Sequence, residues 1–140
     1  MIKMLLITAA LFFVGCDKKS PPIIKKDTNL STPVQCLALN DITLDKAFKS
    51  TLNSLYTFDQ KCDLQLFVSY KRDIVCNSPY NPNRKNIGPF PKSFLNMEVR
   101  RGFKVEYSYY VDLYHNVNES DIKEAFARVK KDIINPGVVQ

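Results

Sequence analysis

The sequence predicts an α+β domain: two amphipathic helices on one face of a small antiparallel β-sheet, in the order α-β-β-β-β-α and in two layers. Three patterns predict it. Apolar residues recur at helical spacing from Thr43 to Tyr56 and again from Glu119 to about Ile134, and between them lie stretches where apolar and polar residues alternate.

The first helix carries Leu44, Ala47, Phe48, Leu52, Leu55 and Tyr56 on one face, with Lys46, Lys49, Asn53 and Ser54 elsewhere. Asp41 or Thr43 can cap its start. A stripe of this kind is a core-facing surface rather than a ligand site. The second helix carries Ile122, Ala125, Phe126, Val129 and Ile133. Asn118 is placed as its N-cap, with Asp121 three residues on and Val117 positioned to pack on Ile122. Asn135-Pro136-Gly137 ends it.

From Phe103 to Leu113, Phe, Val, Tyr, Tyr, Val and Leu alternate with Lys104, Glu106, Ser108, Tyr110 and Asp112, the pattern of a half-buried strand. Leu95, Met97 and Val99 alternate the same way. A three-residue loop, Arg100-Arg101-Gly102, pairs Val99 with Phe103 and keeps both apolar faces on one side, with Gly102 in the left-handed position. Leu64, Leu66, Val68 and Tyr70 mark an earlier strand. Lys71-Arg72-Asp73 reads as a turn and Ile74-Val75-Cys76 as a short return strand.

The segment from Asn77 to Ser93 has no periodicity and carries Pro79, Pro82, Pro89 and Pro91. Long structureless loops are either functional or plain insertions, and the sequence does not choose between them. Tyr80, Arg84, Lys85 and Phe90 give this one groups suited to a protein contact.

Residues 1–15 read as a signal peptide. Lys3 precedes an uncharged run from Met4 to Val14, and small Gly15 stands before Cys16. The run is shorter than the roughly 20 residues a membrane-spanning helix needs. Phe13-Val14-Gly15-Cys16 resembles the lipobox of bacterial lipoproteins, whose usual form has Leu where Phe13 stands. The resemblance covers only the leader. It implies cleavage before Cys16, lipidation of Cys16 with a diacylglyceryl group and usually a further amide-linked chain (a palmitate-type modification), and a stable anchor in the cell membrane. It places the mature chain in the cell envelope, on the periplasmic side. Asp17 resembles the retention signal that favours the inner over the outer membrane.

Residues 16–33 then read as the lipidated N-terminus and a flexible tether, with three prolines, four lysines and Ile23-Ile24 as the only apolar patch. Asp17 to Pro33 would reach about 55 Å when extended. Residues 34–140 form the single domain. Loss of residues 1–15 removes only Lys3, so the net charge falls from +6 to +5. An exported basic chain is matched to anionic lipid or an acidic protein rather than to nucleic acid; Lys18, Lys19, Lys25 and Lys26 lie beside the anchor.

With Cys16 lipidated, Cys36, Cys62 and Cys76 remain, enough for one disulfide and a spare thiol in an oxidising compartment. If Cys36 lies near the start of the first helix, the strand after that helix returns to its neighbourhood. That geometry favours Cys36–Cys76, with Cys62 the free thiol. A strand from Val34 to Leu39 would instead carry Cys36 away. There is no CxxC and one histidine, so neither a metal site, a redox pair nor any other cofactor is expected. His115 and Asp112 lie three apart on a strand and face opposite sides, and no constellation of catalytic roles is visible, so no enzyme is expected.

Tyr110 and Tyr114 point to the polar side of their strand, as a binding surface or as residues under the Pro-rich loop. Two function classes remain. One is a protein-interaction or accessory module of an envelope assembly (secretion, conjugation or pilus system) or an exclusion factor. The other is an envelope small-ligand-binding protein or small enzyme. A flat aromatic, basic surface favours the first, and a deep pocket walled by Tyr110 and Tyr114 favours the second.

Overall fold

The computed structural model describes residues 19–75 and 90–137. It is an α+β fold built on a five-stranded sheet. The elements are β1 (Ile23–Lys26), β2 (Ala38–Asn40), α1 (Lys46–Leu55), β3 (Leu64–Lys71), β4 (Ser93–Arg101), β5 (Lys104–Leu113) and α2 (Glu119–Val129), the last running on into a π turn at Lys130–Ile134. Both helices cover one face, so the two-layer arrangement stands.

The element order and the all-antiparallel sheet need correction. The sheet runs β1-β5-β4-β3-β2 and is mixed, because β2 lies parallel to β3 while the other pairs are antiparallel. The first helix is therefore the crossover of a β-α-β unit, following a strand rather than opening the domain. Strand β2 has three residues, too few for alternation to reveal.

The segment expected as a tether is corrected over its described part. Ile23–Lys26 pairs with Tyr107–Tyr110 as an edge strand, and Lys19 bridges to Leu113. The chain then crosses from one edge of the sheet to the other past the end of α2, burying Leu30 and Val34, with Val34 N–H donating to Ile133 O at 2.7 Å. Prolines and lysines made this segment look unable to fold. It needs only a few apolar contacts because β5 and the π turn supply the remaining hydrogen bonds.

The β4–β5 hairpin differs from its expected register. Arg101 pairs with Lys104 across Gly102-Phe103, and Gly102, at φ 59°, takes the first position of this two-residue turn. A bulge between Val99 and Arg100 then sets Val99 against Tyr107, Met97 against Tyr109 and Leu95 against Val111. The extra residue swaps faces, so Val105 is exposed and Glu106 buried while Tyr107, Tyr109, Val111 and Leu113 face the helices. The apolar faces are matched by a bulge rather than by a longer loop.

Ile74-Val75 is not a strand. The return partner of β3 is β4, with Lys71 opposite Phe94, so residues 72–92 form the connection of a hairpin. Nine alternating residues in β4 offer a longer ladder than three could.

The core holds Phe48 and Leu52 of α1, Ile122, Ala125, Phe126 and Val129 of α2, and the apolar face of the sheet. Asn118 caps α2 as expected: its side chain accepts from the N–H groups of Ser120 and Asp121, and Asp121 accepts from the N–H of Asn118. This capping box accounts for the sharp start of the helix. In α1, by contrast, Asp45 occupies the N-cap position without a side-chain cap bond and instead pairs with Arg72.

The disulfide joins Cys36 to Cys62, with Cα atoms 6.0 Å apart. The expected Cys36–Cys76 pair is thereby overturned. Parallel pairing of β2 and β3 aligns their starts, Ala38 opposite Gln65, so the residues just before each strand come together. Cys76 lies outside the described residues.

Candidate functional site

The helix-free face of the sheet collects the alternate residues of every strand. Phe67 and Gln65 come from β3, Phe94, Asn96, Glu98 and Arg100 from β4, and Tyr110 from β5. Period-two alternation places them there, and register lines them up: Asn96 opposite Tyr110, Phe67 opposite Glu98. These side chains are half-buried against one another with no element above them among the described residues.

Contacts on this face are orderly. Phe94 stacks on Tyr110 with ring centroids 5.7 Å apart. The guanidinium of Arg100 lies 4.6 Å from the ring centre of Phe67 and is ion-paired with Glu98. Asn96 donates to Glu98 Oε1 at 3.0 Å. The Tyr110 hydroxyl donates to Asp112 at 2.8 Å; burial first, and then this bond, raise its pKa. Ile23 at the β1 edge is 57 % exposed on the same side. The result is a patch of aromatic rings and one guanidinium, held in fixed geometry by cross-strand pairs. Aromatic residues and arginine are the types that concentrate at protein–protein contacts.

The expected site residues are distributed as follows. Tyr110 lies on this face, on β5 between Ile23 of the edge strand and Asn96 of the central strand. Tyr114 lies beyond the end of β5, its hydroxyl 3.5 Å from Ser20 Oγ. Phe90 is 46 % exposed at the same end of the sheet, away from Tyr110 by the length of several ladder pairs. Tyr80, Arg84, Lys85 and Cys16 lie outside the described residues, as does Cys76. Sequence reasoning missed Phe67, Phe94 and Arg100. Their signal was present in the alternation, since each is the polar-side partner of an identified core residue, but only the strand order puts them beside Tyr110.

The pairing of His115 was also missed. Its Nε2 donates to both carboxylate oxygens of Asp121, at 3.1 and 2.9 Å, rather than meeting Asp112. Asp121 is buried and also receives the Asn118 N–H at 3.0 Å, with Lys19 Nζ 3.5 Å away. Burial works against the charge of Lys19, but Glu124 and Asp121 outweigh it and leave its pKa raised. Each polar group in this cluster is engaged in capping α2 and in fastening Lys19 to it. The small cleft there, about 250 Å³ among Lys19, His115, Asn118, Ser120 and Asp121, brings no nucleophile into hydrogen bonding with His115.

A wider depression of about 540 Å³ follows the outer surface of α2, from Leu55 on one side to Pro22 and Tyr109 on the other. Neither cleft is walled by Tyr110 or Tyr114. Among the described residues no group of three or more His, Cys, Asp or Glu side chains could hold a metal ion, and no helix is long and apolar enough to cross a membrane.

Comparison with protein-family models, with curated proteins and with solved structures returned no match.

Proposed function

We propose that this chain is a membrane-anchored envelope lipoprotein whose domain is a protein-interaction module, docking on an envelope assembly (a secretion, conjugation or pilus system, or the target of an exclusion factor) through the helix-free face of its sheet. The observation that carries the reading is the Phe67–Arg100–Phe94–Tyr110 patch, ordered with no covering element among the described residues. The leader ending in Gly15-Cys16 supports the anchor, and the Cys36–Cys62 disulfide fits an oxidising compartment. The inner membrane is favoured by Asp17.

A photo-crosslinking residue placed at Phe94 in intact cells tests this. A discrete protein adduct is expected, and Arg100→Ala should lower its yield several-fold, as removal of a central interface arginine does. The same crosslinker at Lys123, on the outer face of α2, should give none. An adduct at Lys123 alone, or one indifferent to Arg100→Ala, overturns the proposal.

A second reading, a small-ligand binder, has one foothold. Tyr109 is buried except towards the depression along α2, and its hydroxyl has no hydrogen-bond partner among the described residues. That depression falls within the usual size of ligand sites. Its polar groups spread around the helix instead of converging, which places this reading second.

A further inference from the structure

Three elements finish or begin at one end of the sheet. There β3 ends at Lys71, β4 begins at Ser93 and β5 ends at Leu113. The flanking chain stays joined to this end: Ile74 N–H donates to Lys92 O at 2.8 Å, and Lys92 N–H to Leu113 O at 2.9 Å. Strand β2 runs parallel to β3, so the loop after it also lies here. Among the described residues, three of the six large apolar side chains that stand exposed are found at this end: Ile42 at 85 %, Val75 at 73 % and Phe90 at 46 %. Lys71 and Lys92 are exposed among them. Asp41 and Asp45 are ion-paired with Lys49 and Arg72, and Asp73 is bonded to Asn116, leaving Glu119 exposed at the start of α2.

Lys19 is fastened to the same end. It bridges to Leu113 and pairs with Asp121 and Glu124, while Ser20 N–H donates to Asp112 O at 3.4 Å. Only three residue steps separate Lys19 from Cys16, a reach of at most about 10 Å. An anchor at Cys16 therefore holds this end, and no other, at the bilayer surface.

We infer that the domain stands on the membrane with this end down, Ile42, Val75 and Phe90 entering the interfacial layer of the lipid and Lys71 and Lys92 lying at the headgroups. The inference rests on the lipoprotein reading and deepens it by fixing which surface meets lipid. Apolar side chains flanked by lysines suit that boundary, where the hydrocarbon stem can lie along lipid and the ammonium stays with phosphate. The opposite end of the sheet carries the hairpin tip, where Phe103 is fully exposed and Val105 partly so. At 3.4 Å per residue the ten residues of β5 set that tip about 30 Å further from the lipid.

The chain contains no tryptophan, so a single introduced one reports its own surroundings. The full acylated protein, reconstituted in phosphatidylethanolamine–phosphatidylglycerol vesicles with brominated acyl chains, is compared as Val75→Trp, Phe90→Trp and Phe103→Trp. Blue-shifted emission with bromine quenching is expected at positions 75 and 90, and water-like, unquenched emission at 103. All three sites are exposed, so the fold tolerates the change, and two lipid-side positions guard against one failing. Quenching at 103 but not at 75 or 90, or at none of the three in vesicle-bound protein, overturns the orientation while leaving the anchor intact. Mass analysis of the same preparation separates the two: an unmodified Cys16 overturns the anchored reading and the orientation with it.

Discussion

Tyr107 shows how one hydroxyl can tie two layers together. Its ring is buried in the sheet, and its O–H donates to Asp132 Oδ2 at 2.8 Å. Arg128, one turn back on α2, donates to both oxygens of the same carboxylate at 2.9 Å. Burial first, and then Asp132, hold the pKa of Tyr107 well above its ordinary value of 10.0. The consequence for stability has a definite sign. An unfolded tyrosine ionises near pH 10, so the stabilising contribution is whole below that pH and is lost as pH rises from there towards the folded value. Tyr107→Phe should cost about 1.5–3 kcal/mol at neutral pH, the worth of a hydrogen bond to a charged group. It should also flatten the fall in stability above about pH 10. Urea midpoints of parent and variant from neutral to alkaline pH check both. Part of the slope should persist, since Tyr109 is held high by burial as well.

Among the elements, β1 departs furthest from expectation. It satisfies one edge of β5, places Ile24 against the core and carries the chain into the crossover that buries Leu30. An unpaired β5 would present a ten-residue edge, the feature that invites strand addition from another molecule. A chain shortened to begin at Asp27 should therefore unfold at lower denaturant and self-associate with rising concentration. Chemical denaturation and sedimentation would read these effects. A free tether would leave both properties untouched. At the other edge β2 is three residues long, and the disulfide secures it.

Across the whole molecule, the disulfide acts chiefly on the unfolded chain. Closing a span of 26 residues stabilises the fold by about 3.5 kcal/mol in loop-closure terms. The paired change Cys36→Ala with Cys62→Ala should lower stability by about 3–4 kcal/mol, and Cys76→Ala should change it little. Non-reducing peptide mapping of the parent should give the Cys36–Cys62 peptide. The same pairing of strand starts sends the far end of the sheet, with Ile42, Val75 and Phe90, towards Lys19. The proposed lipid-facing end thus adjoins the aromatic patch, since Phe94 pairs with Lys71, while the hairpin tip lies at the other end of the sheet.

Much was legible in the sequence because it follows from local periodicity. The stripe of α2 and its Asn118–Asp121 cap, the alternation of β3, β4 and β5, and the α+β class all depend on residues a few positions apart. Tyr110 was legible as a residue of the open face for the same reason. Other features were decided by partners distant in the chain. Ile23–Lys26 is a strand only because β5 has a free edge to offer, and Ala38–Asn40 only because β3 does. A bulge near Glu106 reversed which of Val105 and Glu106 is buried, since the two-residue turn at Gly102 left the faces one residue out of step. Cys36 found Cys62 through the parallel alignment of two strands, and His115 found Asp121 through the packing of α2 against the sheet end. Periodicity determines which face of an element is apolar; which element lies beside it depends on contacts between residues far apart in sequence, and these form only when the whole chain has packed.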